Sequence, residues 1–413
     1  MNTLTVRLYN VRFGDGILIS VPDEASDGSP KMRHILIDVG NAASKPGGEN
    51  ELFEPVFDNI LNVLNGEPLD LYVMTHEHLD HVQGPLWTAK NHFSGDQLKD
   101  KLNVQHLWMP ASSHPGYYDT HNEAKRQLDS ATLAFSDIGR FLGASPSDPK
   151  LATMLRNNNR LLGPSPLGAT GSHGRTADCV EYIRKLAPPE RTHYVHRSVG
   201  VARDGTPPFD LTGTHPFRSA ELEIWAPEED SSEYYGRFRP MTLGASPGST
   251  STATATPVVP PAGVDAQAFF NLRSMREGGF VENLLAIDKA ANNSGIAFCL
   301  KWRGWTLLFP GDVELRSWRE MDKEGALSPI DFLKVGHHGS HNGTPHSDLL
   351  AKLFPMPAPS DRTRVAAVST YKNQYSGIPH IATFDELNDD FDCPVLSTLD
   401  EQDGAALTIE FEG

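Results

Sequence analysis

Met74-Thr75-His76-Glu77-His78-Leu79-Asp80-His81 follows directly on a short apolar run, and its reading decides the fold. Four side chains that bind metals, His76, His78, Asp80 and His81, stand within six residues. Imidazole and carboxylate suit zinc, and also manganese or iron. A loop leaving the end of a strand can turn several such groups toward one point, which a solvated polar loop has no reason to do. The spacing predicts a metal-binding loop on a strand end.

Working outward, residues 71–74 form that strand, and residues 51–64 precede it as a helix, with Leu52, Val56, Ile60, Val63 and Leu64 at helical spacing. Residues 4–9, 16–21 and 35–38 alternate as strands, with Gly14-Asp15-Gly16 and residues 22–30 as turn and loop. After Gly84 the pattern is less regular. A strand is expected at 104–109 and a helix at 123–142. Residues 143–175, rich in Ser, Pro, Gly and Asn, read as a long surface insertion or lid. Residues 243–264 lack both periodicities and read as a flexible linker or loop. Order returns with a helix within 281–289, then strands at 295–302 and 305–309 joined by Arg303-Gly304. The last third repeats strand and helix, at 332–335, 348–353, 364–369, 383–389, 394–397 and 406–411.

Three further motifs sit at strand ends. Ile35-Leu36-Ile37-Asp38-Val39-Gly40 puts a carboxylate upstream of the histidine run. Leu307-Leu308-Phe309-Pro310-Gly311-Asp312 puts another after an apolar strand, and Leu333-Lys334-Val335-Gly336-His337-His338-Gly339-Ser340 ends a third strand in two histidines. Each alone is an ordinary turn. In this order, one before the histidine run and two after it, they resemble the metallo-β-lactamase superfamily. Asn292-Asn293-Ser294-Gly295, His337-His338-Gly339-Ser340, Asn373-Gln374-Tyr375-Ser376-Gly377-Ile378-Pro379-His380 and Ser397-Thr398-Leu399-Asp400 narrow the likeness to the soluble hydrolase domain of ComEC-type competence proteins. At Val11-Arg12-Phe13-Gly14-Asp15, Arg12 stands where that family has its first glycine.

The resemblance implies one α/β (α+β) domain over residues 1–413, an αββα sandwich with loop insertions and with ligands along one edge of two mixed sheets. It implies two divalent ions, zinc foremost and manganese or iron as alternatives. His76 and His78 would hold one ion, Asp80, His81 and His337 the other, with Asp312 between them. If the strand ends at Gly336, His337 is the first residue beyond it and the preferred ligand, with His338 close behind. Asp38 would fix a ligand histidine from behind. Asp80 would orient the attacking water, and His338 or His380 would protonate the leaving group. Many two-metal members carry another histidine between the first run and Gly-Asp. None of His92, His106, His114, His121, His173, His193, His196 or His215 can be assigned to that place from sequence.

The formal charge of −17 opposes sequence-independent coating of nucleic acid. A local metal centre inverts the sign at the site itself, so a phosphate-bearing substrate stays open. Cys179, Cys299 and Cys393 are far apart in sequence and indicate neither a disulfide framework nor a thiolate zinc site. With no basic-then-apolar leader and no long apolar run, the expectation is a soluble, cytoplasmic protein without membrane partners. The expected activity is metal-dependent hydrolysis of a phosphodiester, in nucleic acid or a nucleotide. The alternatives are hydrolysis of a lactam, lactone or thioester, and a catalytically silent binding or scaffold protein.

Overall fold

The computed structural model describes residues 2–42, 50–94, 96–142, 155, 157–158, 176–201, 206–235, 280–345, 347–360, 362–372 and 377–413. The expected linker at 243–264 lies outside them, as does nearly all of the expected insertion at 143–175.

One sheet has seven strands in the order β13-β1-β2-β3-β4-β5-β6, and the other has six in the order β12-β11-β10-β9-β8-β7. In the first, Thr3–Tyr9 (β1), Gly16–Glu24 (β2) and Pro30–Val39 (β3) run antiparallel, and Ala406–Glu412 (β13) pairs antiparallel with β1. Leu71–Val73 (β4), Leu107–Pro110 (β5) and Thr192–Val195 (β6) then add in parallel. The second sheet repeats the plan. Ala220–Ala226 (β7), Ala297–Trp302 (β8) and Trp305–Phe309 (β9) are antiparallel, and Phe332–Lys334 (β10), Val365–Val368 (β11) and Val395–Ser397 (β12) are parallel. Both sheets are therefore mixed.

Their inner faces share one core. Leu4, Val6, Ile19, Ile37 and Val73 from the first sheet pack with Leu222, Phe298, Leu300, Phe309 and Phe332 from the second. On the outer face of the first sheet, Phe53–Leu64 (α1), Leu79–Asn91 (α2), Gln97–Leu102 (α3) and, after the short Tyr117–Thr120 (α4) and Asn122–Leu142 (α5), Thr176–Arg184 (α6) surround a second core through Val56, Ile60, Val82, Leu98 and Ile183. Phe280–Asn293 (α7) leads into β8. Leu315–Lys323 (α8), Ser347–Leu353 (α9) and Ile381–Asp390 (α10) cover the outer face of the second sheet through Trp318, Leu350 and Leu387. Strands with apolar residues on both faces need such two-sided cover. The fold is thus an α/β sandwich with helices outside two facing sheets. Among the described residues no helix is long and apolar enough to cross a membrane.

One expectation is corrected at the histidine run. The segment after His78 is not a charged loop: α2 starts at Leu79, so Asp80 and His81 occupy its first turn. Every residue from Leu79 to Ala89 is buried, so no polar face marks the helix in sequence, and Gly84 and Pro85 disguise it further.

Candidate metal centre

The site forms where loops at the ends of the two sheets meet. Asp38, the last residue but one of β3, is a non-glycine residue at φ +50°. This left-handed conformation is uncommon outside glycine but tolerated by aspartate. The turn aims the carboxylate at the loop after β4. Its Oδ1 accepts from the Thr75 backbone N–H at 2.8 Å, and its Oδ2 accepts from the Thr75 hydroxyl at 2.5 Å and lies 2.8 Å from His81 Nδ1. Asp38 thereby holds the imidazole of His81 from its Nδ1 side.

His81 Nε2 faces the other sheet, 3.1 Å from Asp312 Oδ2. His338 Nε2 approaches the same oxygen at 3.3 Å and Asp80 Oδ2 at 3.3 Å, while its Nδ1 is 3.1 Å from the Ser369 carbonyl. Asp80, His81, Asp312 and His338 each present one ligand atom, all within 4.8 Å of one another, and all four residues are buried. Asp80 Oδ1 is buried with no hydrogen-bond partner among the described residues. A buried carboxylate oxygen left unpaired is costly, and two carboxylates with two imidazoles match the donors that divalent cations prefer. These residues fit a divalent metal ion.

Beside this group, His76 Nε2 and His78 Nδ1 are 3.1 Å apart, and the His76 and His81 ring centroids are 4.1 Å apart. None of the described histidines between residues 82 and 311 completes the pair. His92 contacts Asp58, His106 contacts His193, His114 packs on Tyr194, His121 on Tyr117, His196 on Phe209 and His215 on Trp108. His173 is outside the described residues. The group that approaches instead is Asp288 of α7, whose Oδ1 is 3.7 Å from His78 Nε2.

A correction concerns the paired histidines. The structure puts His338 in the four-residue group and leaves His337 outside it, with His337 Nδ1 3.7 Å from Glu314 Oε1. Both residues have positive φ, 48° and 53°, so the chain makes a left-handed turn directly after β10. Close packing behind His337 fixes that turn: a Cβ on Gly343 would lie 2.5 Å from the Cβ of His337. His338 swings inward and packs on Phe13 with ring centroids 4.4 Å apart. His337 still serves the site by its backbone, donating its N–H to Asp312 Oδ1 at 3.1 Å. His380 sits just outside the group, donating its backbone N–H to the Gly339 carbonyl at 2.7 Å and packing its ring on His341.

Electrostatics follow from burial and mutual pairing. Burial works against charge on His338, but Asp312 and Asp80 outweigh it and push its pKa up to about 9. Burial likewise opposes charge on His81, yet Asp312 and Asp38 hold it well above the ordinary histidine value. Asp312 is also desolvated, and His338 and His81 nevertheless hold it well below the usual carboxylate range. His76 is held well below the histidine range by burial and by the neighbouring His81 and His78. Without metal the group is an array of imidazolium and carboxylate, and a divalent cation would displace the protons.

Two residues of the site went unrecognised in sequence. Asp15 lies in the Gly14-Asp15-Gly16 turn, and Lys334 is a fully buried lysine ending β10. A charged residue inside the apolar run Phe332-Leu333-Lys334-Val335 was the available signal for Lys334, because lysine is almost never buried without a partner. Nothing in sequence distinguishes Asp288 from any other polar residue on a helix.

A small polar crevice of about 20 Å³ opens beside His76, lined by Glu77, Ser112, Ser113, Tyr118, Tyr235 and Ser294 among others. Neither a scan against known protein families nor a search of curated proteins found a match to this chain.

Proposed function

We propose that the chain is a metal-dependent hydrolase of the metallo-β-lactamase type, acting on a phosphodiester in nucleic acid or a nucleotide. The observation that carries the reading is the buried convergence of Asp80, His81, Asp312 and His338, with Asp80 Oδ1 unpaired. Those four residues would hold one divalent ion. His76 and His78, whose Nε2 and Nδ1 already converge, would hold a second. When bound, such ions supply Lewis acidity, making water acidic enough to attack near neutral pH and offsetting phosphate charge.

The chain's own residues do the rest. Asp38 holds the His81 ring so that Nε2 faces the site. Asp80 offers its free oxygen to orient the attacking water. His380, whose backbone N–H donates to the Gly339 carbonyl next to His338, would protonate the leaving oxygen. The hydroxyls of Ser112, Ser113, Tyr118 and Tyr235 and the carboxylate of Glu77 line the adjoining crevice, which favours a polar substrate over an acyl chain.

The test is metal analysis of the purified protein followed by assay with bis(p-nitrophenyl) phosphate, nucleic acids and thioesters. About two divalent ions per chain and metal-dependent phosphodiester cleavage are expected. Activity that survives His78→Ala combined with Asp312→Ala would sink the reading. Thioester turnover without phosphodiester cleavage would replace the substrate class, and metal binding without any turnover would leave a binding protein.

A further inference from the structure

Behind the candidate metal centre lies a pair of buried charges that the proposed chemistry does not use. Lys334 and Asp15 are each 1% exposed. The ammonium of Lys334 is bonded to Asp15 Oδ2, and it lies 3.9 Å from Asp312 Oδ1. The Asp15 carboxylate stands 4.0 Å from His81 Nδ1 through Oδ2 and 4.0 Å from His338 Nδ1 through Oδ1. The Asp15 backbone N–H also donates to the Asp80 carbonyl at 3.0 Å.

The choice of atoms matters. Asp312 uses Oδ2 toward the two histidines and Oδ1 toward Lys334. His81 and His338 both turn Nε2 toward Asp312, while their Nδ1 atoms, hydrogen-bonded to Asp38 and to the Ser369 carbonyl, lie on the side of Asp15 at 4.0 Å. In all three residues the pair acts on the atom opposite the one that faces the site. A buried lysine is expensive to desolvate, and this one is retained where its field reaches the group's carboxylates.

We propose that Lys334 and Asp15 are positioning residues for the metal ligands. Lys334, 3.9 Å from the Asp312 oxygen that accepts the His337 N–H, draws that oxygen away from the site by its charge and so favours the other one facing in. The Asp15 carboxylate, 4.0 Å from the rear nitrogens that Asp38 and the Ser369 carbonyl hold, adds its negative charge behind His81 and His338, leaving their front nitrogens to coordinate. The pair thereby sets metal affinity without touching the metal. This rests on reading the group as a metal centre.

The test is the double variant Asp15→Asn with Lys334→Met, which removes both charges together and keeps net charge and approximate shape. Zinc and manganese affinities are measured by calorimetry beside the thermal midpoint. Expected are a folded protein with a midpoint near the parent's and a metal affinity about 10–100-fold weaker, the range for groups that orient a ligand. A folded double variant with parental affinity overturns the proposal. Should the double variant not fold, Asp15→Asn alone keeps an oxygen for Lys334 and is expected to weaken metal binding in the same direction, and parental affinity there overturns it equally. A parent that binds no divalent ion refutes the metal-centre reading itself. A parent that binds metal as tightly as its variants refutes only the positioning role.

Discussion

His337 and His338 differ by one position and by everything that surrounds them. His338 is fully buried between Phe13, Asp80 and Asp312, whereas His337 turns toward Glu314. His338→Ala is therefore expected to weaken zinc binding more than about 100-fold, beyond the range for groups that only orient a ligand, while His337→Ala stays within about tenfold. Competition against a fluorescent zinc chelator measures both, and the reverse ranking would refute the assignment. Asp38→Asn, which removes the anionic partner of His81 Nδ1, is expected to cost about 10–100-fold in the same assay. The histidine run itself was legible because four potential ligand side chains in six residues carry information in composition alone. The choice between His337 and His338 was not, because counting residues past a strand assumes extended backbone, and here two successive residues have positive φ.

At the scale of elements, the metal loop depends on close backbone contact with the end of β3. A Cβ on Gly40 would lie 2.3 Å from Asp80 C and from His81 N. Gly40→Ala must push α2 away from β3, at a cost of about 1–3 kcal/mol or more for overpacking. A lowered denaturation midpoint together with weakened metal binding is expected, and loss of stability with unchanged metal affinity would show that α2 moves as a rigid unit. The helix at 123–142 was readable from its periodicity, and the hairpin at 295–309 from two apolar runs flanking Arg303-Gly304. Helix α2 was hidden by burial on every side. Strand β7 does alternate, with Glu221 outward between the inward Ala220 and Leu222, but its seven residues stand alone among loops and were passed over. Strand β6, four residues long, is a shorter signal still, legible only once β5 supplies a partner, and helix α6 has only nine residues.

For the whole molecule, buried histidines set the response to acid. Burial lowers the pKa of His34, His106 and His215 to about 4 in each case, helped at His34 by Arg7 and Lys31, at His106 by His193 and Arg191, and at His215 by His193 but opposed there by Asp23. Unfolded, each takes up a proton near its ordinary value of about 6.5. Their stabilisation is complete above that value and is lost as pH falls from about 6.5 to 4. His338 works in the opposite sense in the metal-free protein. Its pKa of about 9 adds stability that is full below about 6.5 and lost as pH rises to 9. Urea midpoints of the metal-free protein should therefore peak near pH 6.5, and His34→Gln should flatten the acid side. A midpoint that rises steadily from pH 7 to pH 4.5 would contradict this. Saturating metal should raise stability by about 2.7 kcal/mol at a hundredfold excess over Kd, and a chelator should reverse it.

The pairing of β13 with β1 sets Thr3 against Glu412 and Tyr9 against Ala406. Strand β1 thus stays without one of its two neighbours until β13 has been translated. Contacts of such sequence separation bring a large loop-closure cost before they return any stabilisation, and they slow folding. During that interval β1 presents an unpaired edge whose residues Leu4, Val6 and Leu8 belong to the inter-sheet core, the kind of edge that recruits foreign strands. Nascent chains stalled before residue 406 should accordingly depend on chaperones and aggregate on release, even though both halves of the metal centre have by then been made.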